Sequence, residues 1–197
     1  MRKAYYLYRA HPYLGVLYPN KVLNLITDTK LFHKYLPDTK QICLAQKYFP
    51  NGLSPHGLSS LICLEKCEDD FIEPIVEIIF ELVRQQHFPH SPSRLTSFYA
   101  SESIDEAEKW CHFLYKVHGH KQNQVPQSLW EIKYETESKL YDAKFLDITT
   151  NDSFSYLAAL ENAHNYWNGS MSNNPLPELL IPYPVTVIRL LRQFNSM

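Results

Sequence analysis

The sequence predicts an α+β fold. Two observations point that way. Short aromatic or β-branched runs that read as strands occur at both ends and in the middle of the chain, and segments with helical spacing lie between them. Glycine is scarce (5) while proline reaches 13, and the Gly-rich fingerprints of P-loop and dinucleotide-binding α/β folds are missing. With 197 residues, 45% of them hydrophobic, the chain is long enough for one domain, residues 1–197, with a full core.

The elements follow in order. Ala4-Tyr5-Tyr6-Leu7-Tyr8-Arg9 is rich in aromatics and reads as a strand. His11-Pro12 and Gly15 punctuate it, and Pro19-Asn20 marks a turn. Residues 21–68 hold short apolar patches between Pro37, Pro50, Gly52, Pro55 and Gly57, and are expected to form loops and short elements. Phe71–His87 is a helix, with Pro74 near its start and Ile75, Ile78, Ile79, Leu82 and Val83 as its apolar face. Leu95–Ala100 is a short strand. Ser103 and Glu106 form a capping box, and Ala107, Cys111 and Leu114 continue at helical spacing. Ser128–Glu135 alternates as a strand, and Asp142–Ile148 is a further candidate. Ser153 is expected to cap a helix carrying Leu157, Leu160, Ala163 and Trp167, which Asn168-Gly169 stops. Glu178-Leu179-Leu180-Ile181 opens one late strand and Val185–Leu191 forms another.

Composition excludes several functions. Net charge is −2, so no broad basic face for nucleic acid is signalled. Cys43, Cys63, Cys67 and Cys111 lack paired CxxC spacing, and the first residues do not read as a secretory leader. The expected setting is therefore reducing and cytoplasmic. No apolar run reaches the roughly 20 residues that cross a bilayer. The longest, Phe71–Val83, is broken by Glu73, Glu77 and Glu81. Cys63, Cys67, Cys111, His112, His118 and His120 fit no structural zinc spacing, so no metal is expected. No Gly-x-Ser-x-Gly elbow supports a serine hydrolase.

The segment Phe88–Ala100 concentrates polar chemistry. It places Arg94, Thr96 and Ser97 beside Phe98 and Tyr99, between an apolar helix and a capped one. Hydroxyls and a guanidinium at such a junction suit a polar, anionic ligand. Two further residues belong with it: Arg9 ends the first strand, and Glu178 opens a strand after a proline-containing loop.

The order of these pieces resembles the arginine–serine–glutamate arrangement of ADP-ribosyltransferases. It is similar in particular to a bacterial and phage branch of that superfamily, through Pro92–Ala100, Glu106-Ala107, Trp110, Tyr166–Gly169, Glu178–Ile181 and Pro184–Val187. The resemblance runs from about residue 4 to 191. It implies a split β-sandwich that binds NAD as a substrate and transfers ADP-ribose to a macromolecular acceptor, protein or nucleic acid. Arg9 would lie near a phosphate or ribose, with His11 as an alternative site residue on the same stretch. Ser97, beside Thr96, would hold the glutamate and the nicotinamide ribose. Tyr99 or Phe98 would stack on nicotinamide, and Arg94 would be a second phosphate contact. Glu178 would face the oxocarbenium ion that forms as nicotinamide leaves. Arginine-directed members carry another Glu or Gln two residues before the catalytic one. Here Leu176 stands there, which disfavours arginine as acceptor and leaves other acceptors or NAD hydrolysis open. Two other readings stand beside this one. One is a relative that binds NAD or a nucleotide without chemistry. The other is an interaction protein, such as a phage or bacterial inhibitor of a host factor, with residues 21–68 as its docking face.

Overall fold

The computed structural model describes residues 1–9, 14–27, 32, 34, 36, 39–66, 72–118, 126–150 and 153–194. It is an α+β protein with antiparallel sheets. By its contacts the chain forms two compact units. One holds Met1–Asn24, Phe98–Lys144 and Met171–Met197, and the other holds Leu25–Ser97 and Phe145–Ser170.

The first unit is built on sheets. Strands β1 (Arg2–Tyr8), β2 (Val22–Leu23), β4 (Ser128–Tyr134) and β9 (Val185–Gln193) make a four-stranded sheet in the order β1-β4-β9-β2. Strands β3 (Ser97–Ala100), β5 (Lys139–Asp142) and β8 (Pro177–Pro182) make a second, in the order β3-β8-β5. Alternation decides what each strand buries. Ala4 on β1, Trp130 and Ile132 on β4, Phe98 on β3 and Leu179 and Ile181 on β8 meet in one apolar core that takes residues from both sheets. The backbone of Tyr5 exchanges hydrogen bonds with Ser101, which ties the edge of the larger sheet to the end of β3. Helix α4 (Ile104–His118) packs on β1. Its start is the capping box that the sequence predicts: Glu106 N donates to Ser103 Oγ and Ser103 N donates to Glu106 Oε2, both at 3.2 Å. The strand expected at Asp142–Ile148 instead ends at Asp142, and a 3-10 turn takes Ala143–Leu146.

The second unit is helical, with a two-stranded ribbon of β6 (Thr149–Thr150) and β7 (Ser153–Phe154). Its helices are α1 (Thr39–Tyr48), α2 (Pro55–Lys66), α3 (Ile72–His87) and α5 (Tyr156–Trp167). Residues 39–66, read from the sequence as loops and short elements, are thus largely two helices. The signal for α2 was present: Ser54-Pro55 puts a capping hydroxyl before a first-turn proline, and Ser54 Oγ accepts from Gly57 N at 3.0 Å. Gly57 is required by its surroundings, because a Cβ there would lie 2.1 Å from the Leu95 carbonyl oxygen. That contact seats α2 on the 3-10 turn Arg94–Thr96, where Ser54 N also donates to Leu95 O. The cap of α5 is Ser155 rather than Ser153, which lies in β7. Asn168-Gly169 ends α5 as expected, with Gly169 at φ +77°.

The apolar face of α3 agrees with the sequence reading in part. Val76, Ile79, Phe80 and Val83 are buried, but Ile78 is exposed and Leu82 is 52% exposed. Glu77 and Glu81 are buried instead. A purely apolar count puts the stripe over the isoleucines. Ile79 and Val83 of the expected face are buried and Ile75 is half-buried, but the buried stripe is rotated to take in Glu77 and Glu81, two carboxylates one turn apart that find cationic partners inside.

Candidate functional site

Ser97, Tyr99 and Glu178 share one face of the smaller sheet. Phe98 and Ala100 on β3 and Leu179 and Ile181 on β8 belong to the apolar core that takes residues from both sheets. Alternation therefore sends Ser97, Tyr99, Glu178 and Leu180 to the opposite face. Strand β8 is the middle strand, with β3 on one side and β5 on the other. Tyr141 on β5 stands directly opposite Glu178 in the register. Glu178 is only 4% exposed and Ser97 1%. A carboxylate at the centre of a sheet is costly to bury, so its place on this face calls for hydrogen-bonding company.

Arg9 and the aromatics of β1 occupy a different position. Arg9 follows β1, an edge strand of the larger sheet, and is half-buried. Tyr6 and Tyr8 pack on the core with Tyr183. The Tyr6 ring lies 4.5 Å from that of Phe98, and Phe98 meets Tyr183 edge-on at 5.7 Å. Burial pushes the Tyr6 phenol well above its usual range, with the Arg9 guanidinium pulling the other way. Of the two candidate stacking aromatics, Phe98 is thus a core residue, and Tyr99 is the one on the Glu178 face. His11 lies outside the described residues.

Arg94 sits in a buried ion network in the helical unit. It is 4% exposed, and Glu77 is 6% exposed. Its Nε donates to Glu77 Oε2 at 2.9 Å and Oε1 at 3.2 Å, and Nη2 donates to Oε1 at 2.8 Å. Nη1 donates to the Tyr166 hydroxyl at 2.8 Å. His56 Nε2 lies 2.9 Å from Glu77 Oε1. Burial raises the Glu77 carboxyl, but Arg94 and His56 together outweigh it and hold Glu77 far below the usual carboxylate range. A second carboxylate, Glu81, accepts from Arg84, Gln85 and Ser93. Ser93 in turn caps the 3-10 turn by accepting from Leu95 N. Both carboxylates therefore fix the turn Arg94–Thr96 that leads into Ser97. Thr96, half-buried, is the last residue of that turn. The spacing of Glu77 and Glu81, four residues apart inside an apolar run, was the available signal. Glu77 finds its partners in Arg94, 17 residues on, and in His56 on another helix, and local pattern does not reveal them.

Among the described residues, no group of three or more His, Cys, Asp or Glu side chains could hold a metal ion. Cys67 and His120, weighed as ligands from the sequence, lie outside those residues. A cavity of about 270 Å³ opens in the helical unit beside Leu44, Tyr48, Phe49 and Leu61. Its lining is mostly apolar, with Gln41 as a polar member, and none of the site residues contributes to it. No described helix is long and apolar enough to cross a membrane.

A family model described as "Protein of unknown function (DUF2441)" matches residues 18–193, nearly all of the chain. The protein belongs to this family. No curated protein matches it. In this member of the family the matched span includes the Arg94 turn, Ser97 and Glu178, whereas Arg9 precedes it.

Proposed function

We propose that this protein binds NAD, cleaves its nicotinamide–ribose bond and transfers ADP-ribose to a macromolecular acceptor through an ADP-ribosyltransferase-like split sandwich. The observation that carries the reading is the buried Glu178 carboxylate on the middle strand of the smaller sheet, on one face with Ser97 and Tyr99. Two facing antiparallel sheets in one unit support it as well.

The chemistry fits these groups. As the C1′–N bond breaks, its electron pair leaves with nicotinamide and the ribose becomes an oxocarbenium ion. Glu178 offers negative charge where positive charge develops only in the transition state. The acceptor then bonds to C1′ and releases its proton. Ser97 orients by hydrogen bonding, Tyr99 stacks on nicotinamide, and Arg9 pairs with a cofactor phosphate. Arg94, engaged by Glu77 and Tyr166, serves this site by holding the turn before Ser97. Leu176 in place of a second acidic residue favours an acceptor other than arginine.

The test is release of nicotinamide from labelled NAD in the presence of cell lysate. Wild-type protein should release it and leave label in protein or nucleic acid. Glu178→Gln should lose on the order of 10²–10³ in rate, with an unchanged melting temperature. Full activity in Glu178→Gln removes the carboxylate from the mechanism. NAD binding without any release leaves a nucleotide-binding protein in place of an enzyme.

A further inference from the structure

The chain entering β8 is held by two side chains that the mechanism above does not use. Asp142, fully buried at the end of β5, accepts from three backbone amides. Oδ1 accepts from Lys144 N at 3.0 Å and Leu176 N at 2.8 Å, and Oδ2 accepts from Ser172 N at 2.8 Å. Trp110 on α4 donates its indole N–H to the carbonyl of Pro177. The capping box below it anchors that helix.

The sequence explains why such fastening is needed. Pro175 and Pro177 have no backbone N–H, so the start of β8 lacks donors with which to join a ladder. Ser172, Asn173 and Asn174 favour loop conformations, and Met171 and Asn173–Pro175 are exposed. The ladder resumes with Ala143 N donating to Leu176 O at 2.9 Å. Asp142 stands opposite Pro177 and Tyr141 opposite Glu178, so the clamp acts at the residues immediately before the carboxylate. Burying a charge merely to close a loop is expensive when an apolar side chain could fill the space. A charged acceptor satisfied by three amides instead fixes the loop in one geometry.

We propose that Asp142 and Trp110 are positioning residues: together they clamp residues 172–177 and thereby set where the Glu178 carboxylate sits. The inference rests on the reading of Glu178 given under Proposed function. Neither residue touches the reacting atoms. Loss of the clamp should slow the chemical step and leave NAD binding intact.

The experiment combines steady-state kinetics of nicotinamide release with amide hydrogen exchange by NMR, on the full chain. Asp142→Ala should lower kcat on the order of 10²-fold, the effect of an ångström-scale misplacement, with KM for NAD within about twofold. Trp110→Phe, which keeps the ring and removes the N–H, should lower kcat about tenfold. In Asp142→Ala the amides of Ser172 and Leu176 should both lose protection. In Asp142→Asn, where one oxygen remains at the Oδ1 position, Leu176 should stay protected while Ser172 loses protection. Wild-type kcat in Asp142→Ala, or unchanged exchange at both amides, overturns the proposal. Should Asp142→Ala fail to fold, Asp142→Asn and Trp110→Phe carry the same comparison. A wild-type protein that does not turn over NAD refutes the reading of function. The clamp is then decided by the exchange pattern alone.

Discussion

Removing the Arg94 guanidinium should expose how much of the helical unit depends on one buried charge pair. Arg94→Ala deletes three N–H contacts to Glu77 and one to Tyr166, and leaves Glu77, at 6% exposure, facing His56 alone. Breaking a buried pair by removing one partner costs about 3–5 kcal/mol, chiefly because the remaining charge is stranded. At roughly 2–4 °C per kcal/mol for a chain of this size, the melting temperature should fall by about 6–20 °C. Urea unfolding followed by tryptophan fluorescence is a suitable assay. Trp167 reports locally, since its indole donates to Phe80 O at 2.7 Å in the same unit. Replacing both partners, as Glu77→Leu with Arg94→Met, should cost less than Arg94→Ala, because no uncompensated charge is then buried. The pH dependence has a definite sign. Glu77 titrates lower folded than unfolded, so its contribution is present above the unfolded value of about 4.3 and is lost as pH falls from there through the depressed folded value. The slope of stability with pH below about 4.3 should flatten in Arg94→Ala. A loss under about 1 kcal/mol in the single variant, with an unchanged acid limb, would refute the argument that this pair is buried and coupled.

Two further predictions concern single contacts. Gly57→Ala places a methyl group 2.1 Å from the Leu95 carbonyl oxygen, and the forced separation of α2 from the Arg94 turn should cost about 1–3 kcal/mol by chemical denaturation. An alanine variant as stable as wild type would mean that α2 does not sit against that turn. Ser103→Ala removes the acceptor for Glu106 N at the start of α4 and should cost about 0.5–2 kcal/mol, read as a lower melting temperature.

Legibility varied with the range of the interaction. The capping box at Ser103 and Glu106, the Asn168-Gly169 stop and the strands β1, β4, β8 and β9 were readable because each is decided by residues within a few positions. Helix α2 had an equally local signal in Ser54-Pro55, but the prolines and glycines around it read as loop. The face of α3 could be read only in part, at Ile79 and Val83, because a periodic count assigns glutamates to solvent unless a partner is known. That partner, Arg94, lies 17 residues on and depends on a turn held by Ser93 and Glu81. The candidate site shows the same division. Arg9, Ser97 and Glu178 could be picked out by type and order. The sharing of one sheet face by Ser97, Tyr99 and Glu178, and the loss of Phe98 to the core, follow only from strand register.

By itself the amino-acid order determined that the chain is α+β, where several helices begin and end, and which segment concentrates hydroxyls and guanidinium groups. Those features depend on backbone preference and on neighbours one helical turn away. Tertiary structure alone decided which charges are buried. It also made Asp142, at the end of β5, an acceptor for three amides and gave Arg94 a carboxylate and a phenol as company. A charge enters an interior only where distant segments bring it compensating groups, and no local pattern encodes that meeting.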